Sequence, residues 1–255
     1  MSAYTVVALD DAQGPFFEAR EVAFPDATAA LWTETDRRDP GAVRDGGWWL
    51  RFRCFALRPA AGGPVILVDT GIGAASAPAR SWAPVPGRLP EALDEAGIAP
   101  GDVDTVVLTH LHTDHIGWSI GADGTPFFPN ARYLLQRAEV EAGSPVLGWL
   151  LPPLGDRLSL LDGEAVLRPG VRVVPTPGHT PGHQSVLVRD GDETVVVTGD
   201  LLVHMLQLVD PEQRYTHEVD PSLARASRTG LLSRVGPATL ATPHLSKPFV
   251  TYPAP

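Results

Sequence analysis

Short apolar runs, separated by segments rich in Gly and Pro, recur along most of the chain. Runs that are continuously apolar or that alternate at period two predict β-strands. The predicted strands are residues 4–9, 48–57, 64–69, 104–108, 131–135, 158–161, 164–167, 171–174, 184–188, 194–198 and 238–241. Because Pro (26) and Gly (25) supply about a fifth of the residues, many turns are expected between these strands.

Helical spacing of apolar residues is found in fewer segments. Residues 89–96 and 137–142 predict short helices, and residues 221–235 predict a longer one that begins with Asp220 as N-cap and Pro at its first position. Residues 25–47, which are rich in charge, Pro and Gly, predict a loop or a short helix. Strands interleaved with a few helices indicate an α/β (α+β) fold in which two sheets are covered by helices.

A cluster of polar residues directly follows the predicted strand at 104–108. Six consecutive positions hold three imidazoles and one carboxylate, at His110, His112, Asp114 and His115. Imidazole and carboxylate together suit zinc and its first-row neighbours, so a metal site at the strand end is the simplest explanation. The alternative is a solvated loop that happens to be rich in histidine. Since the chain has eight histidines and none precedes position 110, the clustering favours the metal site.

The segment HLHTDH at residues 110–115 resembles the central HxHxDH motif of the metallo-β-lactamase-fold hydrolase superfamily. Further segments resemble motifs of this superfamily and occur in the expected order: ILVDTG at 66–71, TPGHTPGH at 176–183, VVVTGD at 195–200 and TPH at 242–244. Together these motifs span most of the chain. The resemblance implies a four-layer αββα sandwich, the metallo-β-lactamase fold, and the activity of a metal-dependent hydrolase.

The resemblance also implies two divalent metal ions. The first ion would be held by His110, His112 and His179, the second by Asp114, His115 and His244, and Asp200 would bridge the two. Zinc is the first choice of metal, with iron, manganese and cobalt as alternatives. Chemistry alone does not choose between His179 and His183, but position in the family pattern favours His179. Asp69 carries no metal in that pattern and is expected to orient a ligating imidazole through a hydrogen bond.

Two such ions imply a mechanism. Two divalent ions close together share a water molecule and lower its pKa toward neutrality, which supplies a bridging hydroxide that attacks a carbonyl or phosphoryl centre. Asp114 is a candidate for carrying a proton to the leaving group. Asp200 contributes by joining both ions, and no serine or cysteine nucleophile is then required.

Within the superfamily, the chain most resembles the lactonase-like branch, which includes acyl-homoserine lactonases and organophosphate hydrolases. The best-known lactonases carry a tyrosine three residues after the bridging aspartate, where this chain has Val203. The adjacent His204 is a candidate catalytic substitute, with a structural role as the alternative. The expected activity is hydrolysis of a lactone or an ester.

Three other functions remain open on the same fold. A glyoxalase-like thioesterase needs a cationic pocket for a glutathione carboxylate, and Lys247 is the only suggestive lysine near a candidate ligand. An iron-dependent persulfide dioxygenase uses fewer metal ligands than the two-metal pattern found here. A non-enzymatic metal-binding protein on this fold usually loses ligands, whereas all the ligand positions are filled in this chain.

Charge and composition narrow the expected partners. The formal net charge of −10 argues against a nucleic-acid substrate, because phosphate backbones are bound through Lys and Arg. No apolar run reaches the about 18 residues of a membrane span, and no signal peptide is recognised, so a cytoplasmic protein acting on a small molecule is expected. The single Cys54 excludes an intrachain disulfide. No domain boundary is visible, and residues 1–255 are expected to form a single domain.

The segment PVLGWLLPPL at Pro145–Leu154 fits none of these motifs. It has no charged residue and contains two adjacent prolines. The sequence leaves three interpretations open: a buried loop, an apolar wall over the metal cleft, or a contact in a homodimer.

Overall fold

The computed structural model describes residues 3–253, which form two β-sheets packed face to face. The first sheet consists of β1 (Tyr4–Pro15), β2 (Val43–Arg44), β3 (Gly47–Pro59), β4 (Val65–Val68), β5 (Val103–Val107), β6 (Arg132–Gln136) and β7 (Leu158–Leu161). The second consists of β8 (Ala165–Arg168), β9 (Val171–Pro175), β10 (Gln184–Asp190), β11 (Glu193–Val197), β12 (Ala238–Ala241) and β13 (Phe249–Tyr252). The strand order is β1-β3-β4-β5-β6-β7 in the first sheet, where β2 pairs with β3, and β13-β12-β11-β10-β9-β8 in the second.

The helices of the described residues are α1 (Arg20–Ala23), α2 (Ala29–Arg38), α3 (Leu89–Glu95), α4 (Thr113–Ile116), α5 (Arg137–Glu141), α6 (Leu147–Leu154), α7 (Leu206–Val209) and α8 (Pro221–Val235). Of these, α3 and α6 cover the outer face of the first sheet, and α8 covers that of the second. Successive side chains of a strand point to opposite faces. Accordingly, Val106 of β5 packs in a cluster with α3 and α6, whereas its neighbour Val107 packs between the sheets. Leu240 of β12 packs with α8 on the other outer face. The expected αββα sandwich is confirmed.

Several local predictions are confirmed and others need correction. Asp220 caps α8 by accepting hydrogen bonds from the backbone N–H of Ser222 at 3.1 Å and of Leu223 at 3.0 Å. The region 25–47 contains a helix, α2. The first strand is longer than predicted, since β1 pairs with β3 as far as Pro15. The strand β13 was not predicted.

The segment Pro145–Leu154 is mainly helical, so the interpretation as a loop is wrong. Leu150 and Leu154 lie four positions apart, therefore share one face of α6, and are both buried in the core outside the first sheet. This burial stabilises a helix although Pro152 and Pro153, which lack a backbone N–H, stand inside it.

The strands that carry the sequence motifs end at one edge of the sandwich. Strands β4 and β5 are parallel, as are β11 and β12. Strand β9 runs in the same direction as β11, because each is antiparallel to β10. The loops that follow β5, β9, β11 and β12 therefore meet. No helix within residues 3–253 is long and apolar enough to cross a membrane.

Candidate metal centre

Seven imidazole and carboxylate side chains from these four loops form two groups. Within each group, ligand-type atoms lie within 4.8 Å of one another: His110, His112, His179 and Asp200 in the first group, and Asp114, His115 and His244 in the second. Asp200 lies between the groups. Its Oδ2 is 3.2 Å from His179 Nε2, and its Oδ1 is 3.2 Å from His115 Nε2 and 3.1 Å from His244 Nε2. The structure thus brings together all seven residues predicted from the sequence as ligands.

Asp69 lies behind the second group and orients it. Its backbone adopts a φ of 61°, which is unusual for a residue other than glycine. The carboxylate accepts hydrogen bonds from the Thr109 backbone N–H at 2.7 Å and from the Thr109 hydroxyl at 2.8 Å, and lies 2.8 Å from His115 Nδ1. This contact is the one expected of Asp69, and it directs the other ring nitrogen, Nε2, toward the site.

His244 follows β12 of the second sheet and is oriented in a similar way by a residue of the first sheet. Its Nδ1 donates to the backbone carbonyl of Arg51 at 2.7 Å, which leaves Nε2 facing Asp200 and Asp114. The loop that carries His244 is further held by Arg53, whose guanidinium donates to the carbonyls of Leu245 and Ser246.

His183 belongs to neither group and instead supports Asp200. Its Nε2 accepts a hydrogen bond from the Asp200 backbone N–H at 2.9 Å, and its Nδ1 donates to the Thr176 carbonyl at 3.0 Å. Gly199 makes this approach possible, since a Cβ there would lie 2.7 Å from His183 Nε2 and its φ is 52°. Of the two histidines in TPGHTPGH, the structure places His179 in the first group.

His204 lies outside the cleft. It is fully buried, its Nδ1 accepts from the Leu206 backbone N–H at 3.1 Å, and its ring packs against Trp32 and Trp48. Burial lowers the pKa of His204 to about 3, so the ring is neutral. This position corresponds to the structural alternative for His204 rather than to the catalytic one.

The protonation states of the cluster suit cations. Burial lowers the pKa of His110 well below its usual range and that of His112 to about 4. Burial acts to raise the pKa of Asp200, but His115 and His244 outweigh it and hold that pKa well below its usual range. Among residues 3–253, Nε2 of the buried His110 has no hydrogen-bond partner, which is rare for a buried polar atom. Neutral imidazoles at His110 and His112, the ionised Asp200 and the unpaired nitrogen fit a divalent cation at the first group. At His115 and His244 burial acts to lower the pKa, but the Asp200 carboxylate outweighs it and raises both pKa values, so the second group holds positive charge beside Asp200, which a cation would replace.

A cavity of about 410 Å³ opens above these groups. Its floor includes His112, Asp114, His179, Asp200 and His244. One side, here called the aromatic wall, consists of Phe16, Phe17, Trp48, Trp82, Tyr215 and His217. Ser144, Pro145 and Val146 also line the cavity, so the start of the Pro145–Leu154 segment is indeed an apolar wall. Within the part of the chain that is described, no lysine or arginine lines this cavity.

Ring contacts and side-chain hydrogen bonds hold the aromatic wall together, one of them donated by Trp82 Nε1 to Thr113 Oγ1 at 2.9 Å. Phe16 and Phe17 contact the His217 ring edge-on, with centroids 5.6 and 5.4 Å apart, and His217 Nε2 lies 2.9 Å from Glu18 Oε2. The Tyr215 ring is parallel to that of His179 at 6.2 Å, which joins the wall to the floor. Sequence reasoning missed this wall, because its members come from distant segments and none lies in a recognisable motif.

A family model described as the Metallo-beta-lactamase superfamily matches residues 53–240. The chain is 32% identical over 237 residues to metallo-beta-lactamase domain-containing protein 1 of Mus musculus, covering 90% of this chain and 78% of that protein. It is 37% identical over 106 residues to an N-acyl homoserine lactonase of Bacillus sp, covering 40% of this chain. That match spans only 39% of the lactonase's length.

Two solved structures show the same fold. A probable metal-dependent hydrolase from Staphylococcus aureus superposes with a TM-score of 0.83 at 17% identity, covering 98% of this chain and 93% of that one. AidC, a dizinc quorum-quenching lactonase, superposes with a TM-score of 0.73 at 22% identity, covering 99% and 96%. The fold, the clustered side chains and the match to the family model together show that the chain belongs to the metallo-beta-lactamase superfamily.

Proposed function

We propose that this protein is a binuclear metal-dependent hydrolase that opens a lactone or cleaves an ester. The observation that carries this proposal is the pair of His/Asp groups, joined by Asp200, at the floor of a cavity with an aromatic wall. Similarity to N-acyl homoserine lactonases supports an acyl centre as the target of hydrolysis.

In this proposal His110, His112 and His179 hold one divalent ion, Asp114, His115 and His244 hold the other, and Asp200 is shared. When bound, the two ions would supply an activated water and Lewis acidity toward the acyl oxygen. We propose zinc, because imidazole and carboxylate ligands suit it and the structurally similar AidC is described as a dizinc enzyme.

Two residues of this chain are proposed to act on the substrate. Asp114 lines the cavity, and its Oδ2 lies 3.4 Å from His115 Nε2 and 3.5 Å from His244 Nε2. From this position it can carry a proton to the leaving oxygen. Burial raises the pKa of Tyr215 well above its ordinary value, so its phenol stays protonated and is available as a hydrogen-bond donor to a substrate oxygen.

The cavity favours a neutral substrate with an apolar part. Its aromatic wall offers apolar surface to an acyl chain or an aryl group. No lysine or arginine among the described lining residues is available to pair with a carboxylate of the substrate. The glyoxalase-like alternative, which requires a cationic pocket for glutathione, is therefore less well supported than a lactone or ester hydrolase.

A substrate panel tests this proposal. Purified protein loaded with zinc would be assayed with lactones and aryl esters, against a glutathione thioester, a β-lactam and a phosphotriester. We expect the highest kcat/KM for a lactone or an aryl ester, and loss of activity after chelation with recovery when zinc is returned. A clear preference for the glutathione thioester would instead favour the glyoxalase-like function.

A further inference from the structure

We propose that Glu139 is a positioning residue that fixes the distance between the two loops of the first metal-ligand group. These loops are residues 110–112, which follow β5, and residues 179–183, which follow β9. The inference rests on the proposed function only in taking His110, His112 and His179 as metal ligands.

The Glu139 carboxylate contacts both loops at once. The side chain projects from α5 and is buried, with 3% of the residue exposed. Its Oε1 accepts a hydrogen bond from the Leu111 backbone N–H at 3.0 Å, and its Oε2 accepts one from the Gly182 backbone N–H at 2.8 Å. Leu111 stands between two candidate ligands, and Gly182 lies in the loop that carries the third. Each oxygen of one carboxylate therefore holds one loop.

Gly182 provides independent support for this role. A Cβ at this position would lie 2.6 Å from the Glu139 Cβ and 2.8 Å from its Cα, closer than side-chain atoms pack. Only a glycine lets the loop approach α5 this closely without displacement. The close packing and the paired hydrogen bonds thus describe the same contact between α5 and the loop.

The second metal-ligand group has other supports. Asp69 orients His115, and the Arg51 carbonyl orients His244. Neither contact involves Glu139. A change at Glu139 should therefore act mainly on the first group, which distinguishes positioning of a metal site from a general contribution to stability.

The informative substitution is Glu139→Gln. A carboxylate offers an acceptor oxygen to each amide, whereas a carboxamide offers one oxygen and one NH₂ group. The NH₂ group would face a backbone N–H, so one loop loses its partner while the volume of the side chain is kept. Glu141→Gln is the matched control, because Glu141 is an exposed residue of the same helix.

Two single-site backgrounds separate the groups. His244→Ala removes a residue of the second group, and His179→Ala removes one of the first. Cobalt(II) affinity would be measured in each background by competition with a chromophoric chelator, together with the visible absorption spectrum of the bound cobalt. We expect Glu139→Gln to weaken cobalt binding about 10–100-fold in the His244→Ala background and to shift the spectrum. In the His179→Ala background the affinity should stay within about twofold.

The control Glu141→Gln should leave both affinities unchanged. Unaltered cobalt affinity of Glu139→Gln in the His244→Ala background would overturn the proposal, and so would equal weakening in both backgrounds.

Circular dichroism of the metal-free proteins verifies folding. If Glu139→Gln does not fold, Glu139→Asp, which keeps the charge on a shorter side chain, is put through the same two comparisons with the same deciding outcomes. Cobalt binding is measured without substrate. If the protein hydrolysed neither lactones nor esters, the proposed function would be refuted, but the cobalt affinities would still decide whether Glu139 positions the two loops.

Discussion

The floor and the aromatic wall of the cavity are held in place by different kinds of contact. Most floor residues are buried and are held by hydrogen bonds: the His244 ring donates to the Arg51 carbonyl, and His183 accepts from the Asp200 backbone N–H. The wall is held mainly by ring contacts, with single hydrogen bonds between Trp82 and Thr113 and between His217 and Glu18, and Phe17 is 63% exposed. Hydrogen bonds of fixed geometry allow little displacement, whereas apolar contacts tolerate changes of shape. The chemistry and the substrate preference should therefore be separable by mutation.

The largest effect is expected from Asp200→Asn, at the centre of the floor. Asp200 contacts both groups, so removing its charge should weaken metal binding at both. The metal content should therefore fall below the value close to two ions per chain that we expect of the wild type. We expect kcat/KM to fall by more than about 100-fold, since even contacts behind the ligands contribute about 10–100-fold. Elemental analysis and kinetics on the same preparation measure both quantities. Near-normal metal content and turnover would show that Asp200 does not join the two sites.

The pair His179→Ala and His183→Ala compares a candidate ligand in the floor with the histidine that supports Asp200 from behind. His179→Ala should lose the metal of the first group. His183→Ala removes the acceptor of the Asp200 backbone N–H and the donor to the Thr176 carbonyl but no candidate ligand, and should retain most of the metal while its affinity falls about 10–100-fold. Metal titration of both variants, compared with wild type, decides between them. The reverse order of metal loss would assign the ligand role to His183.

The difference between the floor and the wall also explains which parts of the site could be predicted from the sequence. The floor residues follow apolar runs in short motifs, and parallel strands bring the ends of those runs to one edge. The sequence alone could not show which of His179 and His183 is the candidate ligand, because both are imidazoles in one loop. The choice depends on the tertiary fold, in which the turn at Gly199 lets His183 contact the Asp200 backbone. The wall could not be predicted either, since Phe16 and Tyr215 meet only through the tertiary fold. A homodimer and a single domain over residues 1–255 stay predictions.

A moderate effect is expected from Phe17→Ala in the wall. Removing this ring takes apolar surface from the cavity mouth and leaves the floor intact. We expect kcat/KM for an ester with a long acyl chain to fall by about tenfold, the scale of a small change in an apolar pocket. Metal content and kcat for a short ester should stay as in wild type. Val22→Ala is the control, because Val22 is 55% exposed and does not line the cavity. A loss of metal in Phe17→Ala would mean that the wall also shapes the floor.

The smallest effect is expected from Glu18→Gln. The contact with His217 joins residues 16–18 to residues 215–217, but the side chains of Glu18 and His217 are 28% and 34% exposed, and partly exposed contacts of this kind contribute about 0.2–1 kcal/mol. KM for a long-chain ester should therefore rise by no more than about fivefold, with kcat unchanged. Glu91→Gln, a change to an exposed carboxylate on α3, should leave KM as in wild type. A large fall in kcat would place Glu18 and His217 in the catalytic machinery and remove the distinction between wall and floor at this point.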